Sequence, residues 1–186
     1  MNKVIYIDTE TSGLDPSKNA LLQIAGIIEI NGIEKEYFNY YVRPIKGKII
    51  NQKALECNNL TFNQIESFED PSLIYSRVLA IFDKYIAKFD KNDKFIMVGQ
   101  NPWFDKTFID QFFKDQGNQY LHAYIDYHLI DLVGISMFMK SVGKISCENL
   151  KLETICKSLE IPLKAHDAME DCRAVKLCLE KFMKMV

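Results

Sequence analysis

The sequence has no uninterrupted apolar run approaching the roughly 18 residues that a membrane-spanning helix requires, so such a helix is excluded. Glycine and proline are scarce, 8 and 5 among 186 residues, which excludes a collagenous or low-complexity chain. There is no Cys-x-x-Cys pair. The five cysteines, Cys57, Cys147, Cys156, Cys172 and Cys178, are odd in number, so neither a disulfide framework nor a thiolate zinc site is indicated and they read as reduced core thiols. An excess of positive charge is also missing. Lys plus Arg total 23 against 25 Asp plus Glu, and the net charge of -2 excludes the broad basic surface of a duplex-coating protein while leaving room for a site that grips a few nucleotides. The amino terminus, MNKVIYIDTE, reaches a carboxylate too early for a secretory signal, so the expected location is the cytoplasm.

What is present is the balance of a packed globular protein, with 48% hydrophobic and 26% charged residues. The length is that of one domain, expected to occupy residues 1–186. Val4 to Ile7 is a β-branched run that stops at Asp8, Leu21 to Ile30 is a longer one closed by Asn31-Gly32, and Tyr37 to Arg43 reads as a third strand. These form an antiparallel meander. Asp70-Pro71 then opens an amphipathic helix with Ile74, Val78, Ile81, Phe82, Tyr85 and Phe89 on its apolar stripe. Phe95 to Val98 is a fourth strand, and Asn101-Pro102 repeats the cap-plus-proline signal for a helix running to about Phe113. Tyr124 to Ile130 is read as a fifth strand, with helices over Leu132 to Met139 and Leu150 to Leu159. A last helix follows Asp167, which is expected to cap it, with Ala168, Cys172, Val175, Cys178, Leu179 and Phe182 facing the core. Strands followed by alternating helices and strands predict an α/β sheet covered on both faces.

Three constellations carry chemistry. In Asp8-Thr9-Glu10-Thr11-Ser12-Gly13-Leu14, two carboxylates two residues apart point to one side of a strand end, a costly pairing unless a cation neutralises it. A solvated strand end accounts for that segment equally well when it is taken alone. In Asn101-Pro102-Trp103-Phe104-Asp105, the acid lies in a first helical turn, where the helix dipole explains it without further chemistry. In His166-Asp167-Ala168-Met169-Glu170-Asp171, a histidine precedes a helix and Asp171 lies one turn inside it. All four acids, Asp8, Glu10, Asp105 and Asp171, fall where strand ends meet first helical turns, the places where α/β sheets build their sites. Their convergence requires divalent metal, and all-oxygen ligation suits Mg2+ or Mn2+.

Taken in order, these three segments resemble the exonuclease motifs of the DEDDh (DnaQ-like) 3′-to-5′ exonucleases, and they span nearly the whole chain. The resemblance implies a ribonuclease H-like fold, an α/β architecture with a five-stranded mixed sheet flanked by helices on both faces. It implies two divalent ions, Mg2+ or Mn2+, held by Asp8, Glu10, Asp105 and Asp171, with His166 as general base. It assigns Glu10 and the Thr11 backbone to the terminal 3′ hydroxyl; Asn101 and Phe104 of the second motif are candidates for substrate contact, with a core position the alternative for Phe104. Leu14 is either a wedge against the last base or a buried turn residue. The family often has a histidine before the second-motif asparagine, where this chain has Gln100.

The activity so implied is hydrolysis of single-stranded nucleic acid, DNA favoured over RNA, from the 3′ end to nucleoside 5′-monophosphates. The partners implied are single-stranded 3′ ends and, among proteins, a DNA polymerase or other replication or repair chain, with no membrane and no legible oligomeric state. The competing readings are an exoribonuclease acting on RNA 3′ ends and a catalytically idle exonuclease-like binding subunit. Asp131 reads as a helix N-cap, His122 and His128 as surface residues, and Arg43, Lys46, Lys48 and Lys53 as a locally basic, solvated loop.

Overall fold

A computed structural model describes residues 2–163 and 167–185. The chain opens with β1 (Lys3–Thr11), β2 (Leu21–Ile30) and β3 (Ile33–Tyr41), continues through α1 (Gln52–Cys57), α2 (Phe62–Glu66) and α3 (Pro71–Tyr85), and reaches β4 (Phe95–Gly99) and α4 (Pro102–Asp115). It ends with β5 (Ile125–Asp131), α5 (Leu132–Ser141), α6 (Leu152–Ser158) and α7 (Ala168–Met183). The five strands form one mixed sheet in the order β3-β2-β1-β4-β5, antiparallel across β2 and parallel from β1 to β5. The expected five-stranded α/β architecture is thus observed. Among the described residues no helix is long and apolar enough to cross a membrane.

Burial explains which segments became central strands. β1 and β2 are buried along almost their whole length, because helices cover both of their faces. On one face, Ile5, Ile7, Ile24 and Phe38 pack with Ile74, Val78 and Phe82 of α3 and Phe108 and Phe112 of α4. On the other, Val4, Tyr6, Ala25 and Ile27 pack beneath α5, α6 and α7. The edge strand β3 is mostly exposed. Asn31 and Gly32 both have positive φ, 52° and 77°, and supply the tight turn from β2 to β3 that their sequence signals.

Gly26 is fixed by a close approach. A Cβ there would lie 2.6 Å from the Phe38 ring and 3.2 Å from the Tyr6 carbonyl oxygen, so Phe38 occupies the place of its missing side chain. Gly26→Ala is therefore expected to cost about 1–3 kcal/mol by overpacking and to lower the melting temperature by roughly 2–12 °C. Thermal unfolding checks this, and an unchanged melting temperature would contradict the packing described.

Several boundaries differ from the sequence reading. β1 runs past Asp8 to Thr11, because pairing with β2 continues to Leu21 and carries the two carboxylates within the strand. β3 starts directly at Ile33 after the turn and stops at Tyr41, with Val42 bridging instead to Glu69. α3 ends at Tyr85, and Phe89 lies outside it with 94% exposure rather than on the buried stripe. α1 and α2 had no counterpart in the reading. Cys57 is exposed, so only Cys147, Cys156, Cys172 and Cys178 are the buried thiols expected. Two members of the basic loop are engaged in ion pairs, Arg43 with Asp70 at 2.7 Å and Lys48 with Asp115 at 2.9 Å.

Candidate active site

Asp8 and Glu10 alternate with Thr9 along β1, so both carboxylates stand on the face covered by α7. Asp167 caps α7, accepting from the Met169 and Glu170 amides at 3.0 and 3.3 Å, and this sets the helix start so that Asp171 comes over the strand one turn later. Ligand oxygens of Asp8, Glu10 and Asp171 lie within 4.8 Å of one another. Asp105 arrives from the opposite side, in the first turn of α4. It is 3% exposed, and its Oδ1 accepts from the Thr9 amide at 2.9 Å and the Thr9 hydroxyl at 2.7 Å. The residue between the two β1 carboxylates therefore anchors the fourth acid.

Asn101 sets the entry to α4 through its backbone rather than by side-chain capping. It has left-handed geometry, φ 55°, makes no side-chain cap bond, and donates its amide to Asp131 Oδ1 at 3.0 Å. Asp131 also caps α5 as expected, accepting from the Val133 amide at 2.9 Å. One carboxylate thus ties the starts of two helices at the carboxyl edge of β4 and β5. Gln100 donates to the Leu150 carbonyl at 2.8 Å, so at this departure from the family pattern the side chain tethers the segment before α6.

Among the described residues the electrostatics are those of a cluster of like charges. Loss of hydration, followed by repulsion from Asp105, Asp171 and Glu10, holds the Asp8 carboxyl well above the ordinary carboxylate range. Glu10 is pushed up to about 8, by burial first and then by Asp171, Asp105 and Asp167. Asp105 rises to about 7; burial is the largest cause, the Thr9 hydrogen bonds oppose it, and Asp171 adds to it. Carboxylates so arranged fit a hard divalent cation, which would ionise all of them and balance their mutual repulsion.

The turn after β1 is built by residues the sequence reading passed over. Ser12 Oγ donates to the Ile49 carbonyl at 2.8 Å and accepts from the Ala20 amide at 2.7 Å. Asn19 donates to the Ile49 carbonyl at 2.9 Å, and its amide fills the space at Gly13, where a Cβ would come within 2.4 Å of it. Asn58, at the end of α1, donates to the Thr11 carbonyl at 3.1 Å. These contacts fix Thr11 in a buried position and leave Leu14 at 84% exposure, which excludes the buried-turn alternative for Leu14. Phe104 is half-buried on Phe108, with ring centroids 4.9 Å apart, and Trp103 is exposed beside Lys106. His122 and His128 are exposed, as expected of surface residues. His166 lies outside the described residues.

With this geometry in hand, comparison with known proteins gives a consistent family. The model of a family described as exonuclease matches residues 5–177. Ribonuclease T of Buchnera aphidicola subsp. Schizaphis graminum is 27% identical over 183 residues, covering 90% of this chain and 76% of that protein. Ribonuclease T of Buchnera aphidicola subsp. Baizongia pistaciae is 28% identical over 183 residues, covering 90% and 77%. Among solved structures, E. coli exonuclease I in complex with a dT13 oligonucleotide superposes with a TM-score of 0.81 at 18% identity, over 98% of this chain and 41% of that one. The zinc-bound form of its complex with single-stranded DNA gives 0.83 at 19% identity, over 99% and 40%. The chain therefore spans about two fifths of the exonuclease I chains, and at these identities that likeness is one of fold.

Proposed function

Because the chain belongs to the exonuclease family, with the DEDDh pattern set on a ribonuclease H-like fold, we propose that it is a metal-dependent 3′-to-5′ exonuclease acting on single-stranded nucleic acid. One observation carries this reading. Asp8, Glu10 and Asp171, which are separated by up to 163 positions in sequence (171 − 8), bring their oxygens within 4.8 Å of one another, with Asp105 anchored at the residue between the first two. In this reading residues 1–186 work as one exonuclease domain. The four free buried thiols suit a reducing compartment, which supports a cytoplasmic location.

Asp8, Glu10, Asp105 and Asp171 would hold two Mg2+ or Mn2+ ions, which when bound supply Lewis-acid activation and charge neutralisation for an in-line phosphoryl displacement by water. His166 takes the proton from the attacking water, the role that the resemblance of the third motif implies. Glu10 and the Thr11 backbone hold the terminal 3′ hydroxyl. The tethers from Asn58 to the Thr11 carbonyl and from Thr11 Oγ1 to the Gly13 carbonyl keep that backbone in place. Leu14, projecting from the turn, wedges against the last base, and Asn101 and Phe104, at the start of α4, serve as further substrate contacts. The leaving 3′ oxygen departs on the shortened strand, so each turn releases a nucleoside 5′-monophosphate.

DNA is the substrate class we put first, supported by the exonuclease I structures whose fold this chain shares, which hold dT13 and other deoxyoligonucleotides. A specific observation favours RNA as the second reading, since the sequence relatives covering 90% of the chain are named ribonuclease T. Matched DNA and RNA oligonucleotides, incubated with the protein and Mg2+, separate these. Shortening of DNA at the higher kcat/KM supports the first reading, preferential shortening of RNA replaces it with the second, and hydrolysis of neither points to a binding subunit.

A further inference from the structure

β3 carries an exposed shelf that leads away from the carboxylates. Glu10, Gln23 and Tyr41 are cross-strand partners in a single rung through β1, β2 and β3. Directly paired residues stand on the same side of a sheet, so Tyr41 lies on the face that bears Asp8 and Glu10, two strands or roughly 10 Å away. Asn39 and Tyr37 follow on that face, opposite Ala25 and Ile27. α7 buries Ala25 and Ile27 but stops short of the sheet edge, leaving Tyr41 38% and Tyr37 61% exposed.

Two of these side chains, Tyr41 and Asn39, are held in place. The Tyr41 ring packs on Phe68, with centroids 4.9 Å apart, and Asn39 Oδ1 accepts from buried Gln23 at 2.9 Å. Lost hydration, then Asp167 and Glu10, push the Tyr41 hydroxyl above its ordinary pKa, which marks how near the acidic cluster it stands. At the far end Tyr37 borders a shallow depression together with Arg173 of α7, with Glu34 on its outer lip. Tyr41 and Tyr37, four residues apart, are separated by roughly 13 Å along the strand.

We propose that this shelf seats the nucleotides upstream of the terminal one, with bases packed on Tyr41 and Tyr37 and a backbone phosphate met by Arg173. Aromatic faces accept any base, and a cation beside them serves the phosphate, the combination that binds single strands without reading sequence. Glu34 sets the outer limit by repelling the next phosphate. The nearness of Tyr41 to Glu10, two strands away in the same rung, favours this occupant over a second copy of the chain pairing along the β3 edge. The inference rests on the exonuclease reading, and it makes substrate length a determinant of affinity.

Two measurements on wild type and on Tyr37→Ala, Tyr37→Phe, Tyr41→Ala and Arg173→Ala test it. Binding of a labelled octathymidylate is followed by fluorescence anisotropy with Ca2+ in place of Mg2+, and hydrolysis of the octamer and of a thymidine dinucleotide is followed in Mg2+. Tyr37→Ala and Tyr41→Ala are expected to weaken octamer binding and raise its KM by about 5- to 100-fold. For Tyr37→Ala, kcat and the dinucleotide KM stay at wild-type values, and Tyr37→Phe retains the wild-type octamer KM. Octamer binding and KM unchanged in Tyr37→Ala and Arg173→Ala, or an equal loss on both lengths, overturn the shelf. A change in oligomeric state with octamer binding unchanged assigns the edge to a second copy and overturns it as well. Hydrolysis absent in the wild type, with octamer binding still lost in the variants, contradicts the exonuclease reading but not the shelf.

Discussion

Asp8→Asn and Asp171→Asn are each expected to lower hydrolysis by roughly 10³-fold or more while raising the stability of the metal-free fold. The two effects have one cause. Each acid contributes charge to a site whose chemistry requires several kcal/mol of metal-borne stabilisation, so losing one ligand removes most of the rate. The same charge repels its neighbours when no cation is present: Asp105, Asp171 and Glu10 all push the Asp8 carboxyl up, and Asp171 does the same to Glu10 and Asp105. Amide replacements keep the shape and remove the repulsion, so the melting temperature in chelator should rise for both variants. Turnover within tenfold of wild type, or a lower melting temperature in chelator, would contradict these roles.

Without metal, stability is expected to fall as pH rises from about 5.5 to 8, and divalent metal is expected to offset part of that loss. The folded-state carboxyl of Glu10 titrates at about 8 against an ordinary 4.5, and that of Asp105 at about 7 against 3.8. Below their ordinary values both states hold the proton and nothing is lost. Between the ordinary and the raised values the unfolded chain releases a proton that the folded chain keeps, so unfolding is favoured progressively until the folded groups ionise as well. Asp15, Asp70 and Asp93 have lowered values from hydrogen bonds to Ser17, Ser72 and Lys3, and their contribution is lost only at more acid pH. Mg2+ or Mn2+ at about 100 times its dissociation constant adds roughly 2.7 kcal/mol, or about 5–11 °C for a chain of this size, with the largest gain near pH 8. Melting curves at pH 5.5 and 8, with chelator and with each metal, read both effects. A chelated protein as stable at pH 8 as at 5.5, with no shift on adding metal, would contradict the cation site.

Much of the site was legible because its acids sit at positions that local rules make conspicuous. Asp8 and Glu10 interrupt a β-branched strand, and Asp171 lies one turn inside a helix whose cap, Asp167, was readable as such. Asp105 was locally ambiguous, since a first-turn acid suits the helix dipole; only its bonds to Thr9, 96 residues away in sequence, distinguish it. α1 and α2, at 6 and 5 residues, are too short for a helical period to register. The segment that holds them supplies Asn58, whose tether to Thr11 crosses 47 residues and leaves no local signal. Asn101 misled in a different way. Its residue type and the following proline suggest a side-chain cap, whereas asparagine here serves its tolerance of left-handed backbone. Phe89 fitted the helical spacing, but Ile86 takes extended geometry and ends the helix first.

The most direct test of the central claim follows a single-stranded oligonucleotide labelled at its 5′ end, incubated with the protein in Mg2+, in Mn2+ and in chelator. The account predicts a ladder of labelled products shortened from the 3′ end in single-nucleotide steps, present with either metal and absent in chelator. An equal ladder in chelator, or release of the labelled 5′ nucleotide before intermediate lengths appear, would contradict it.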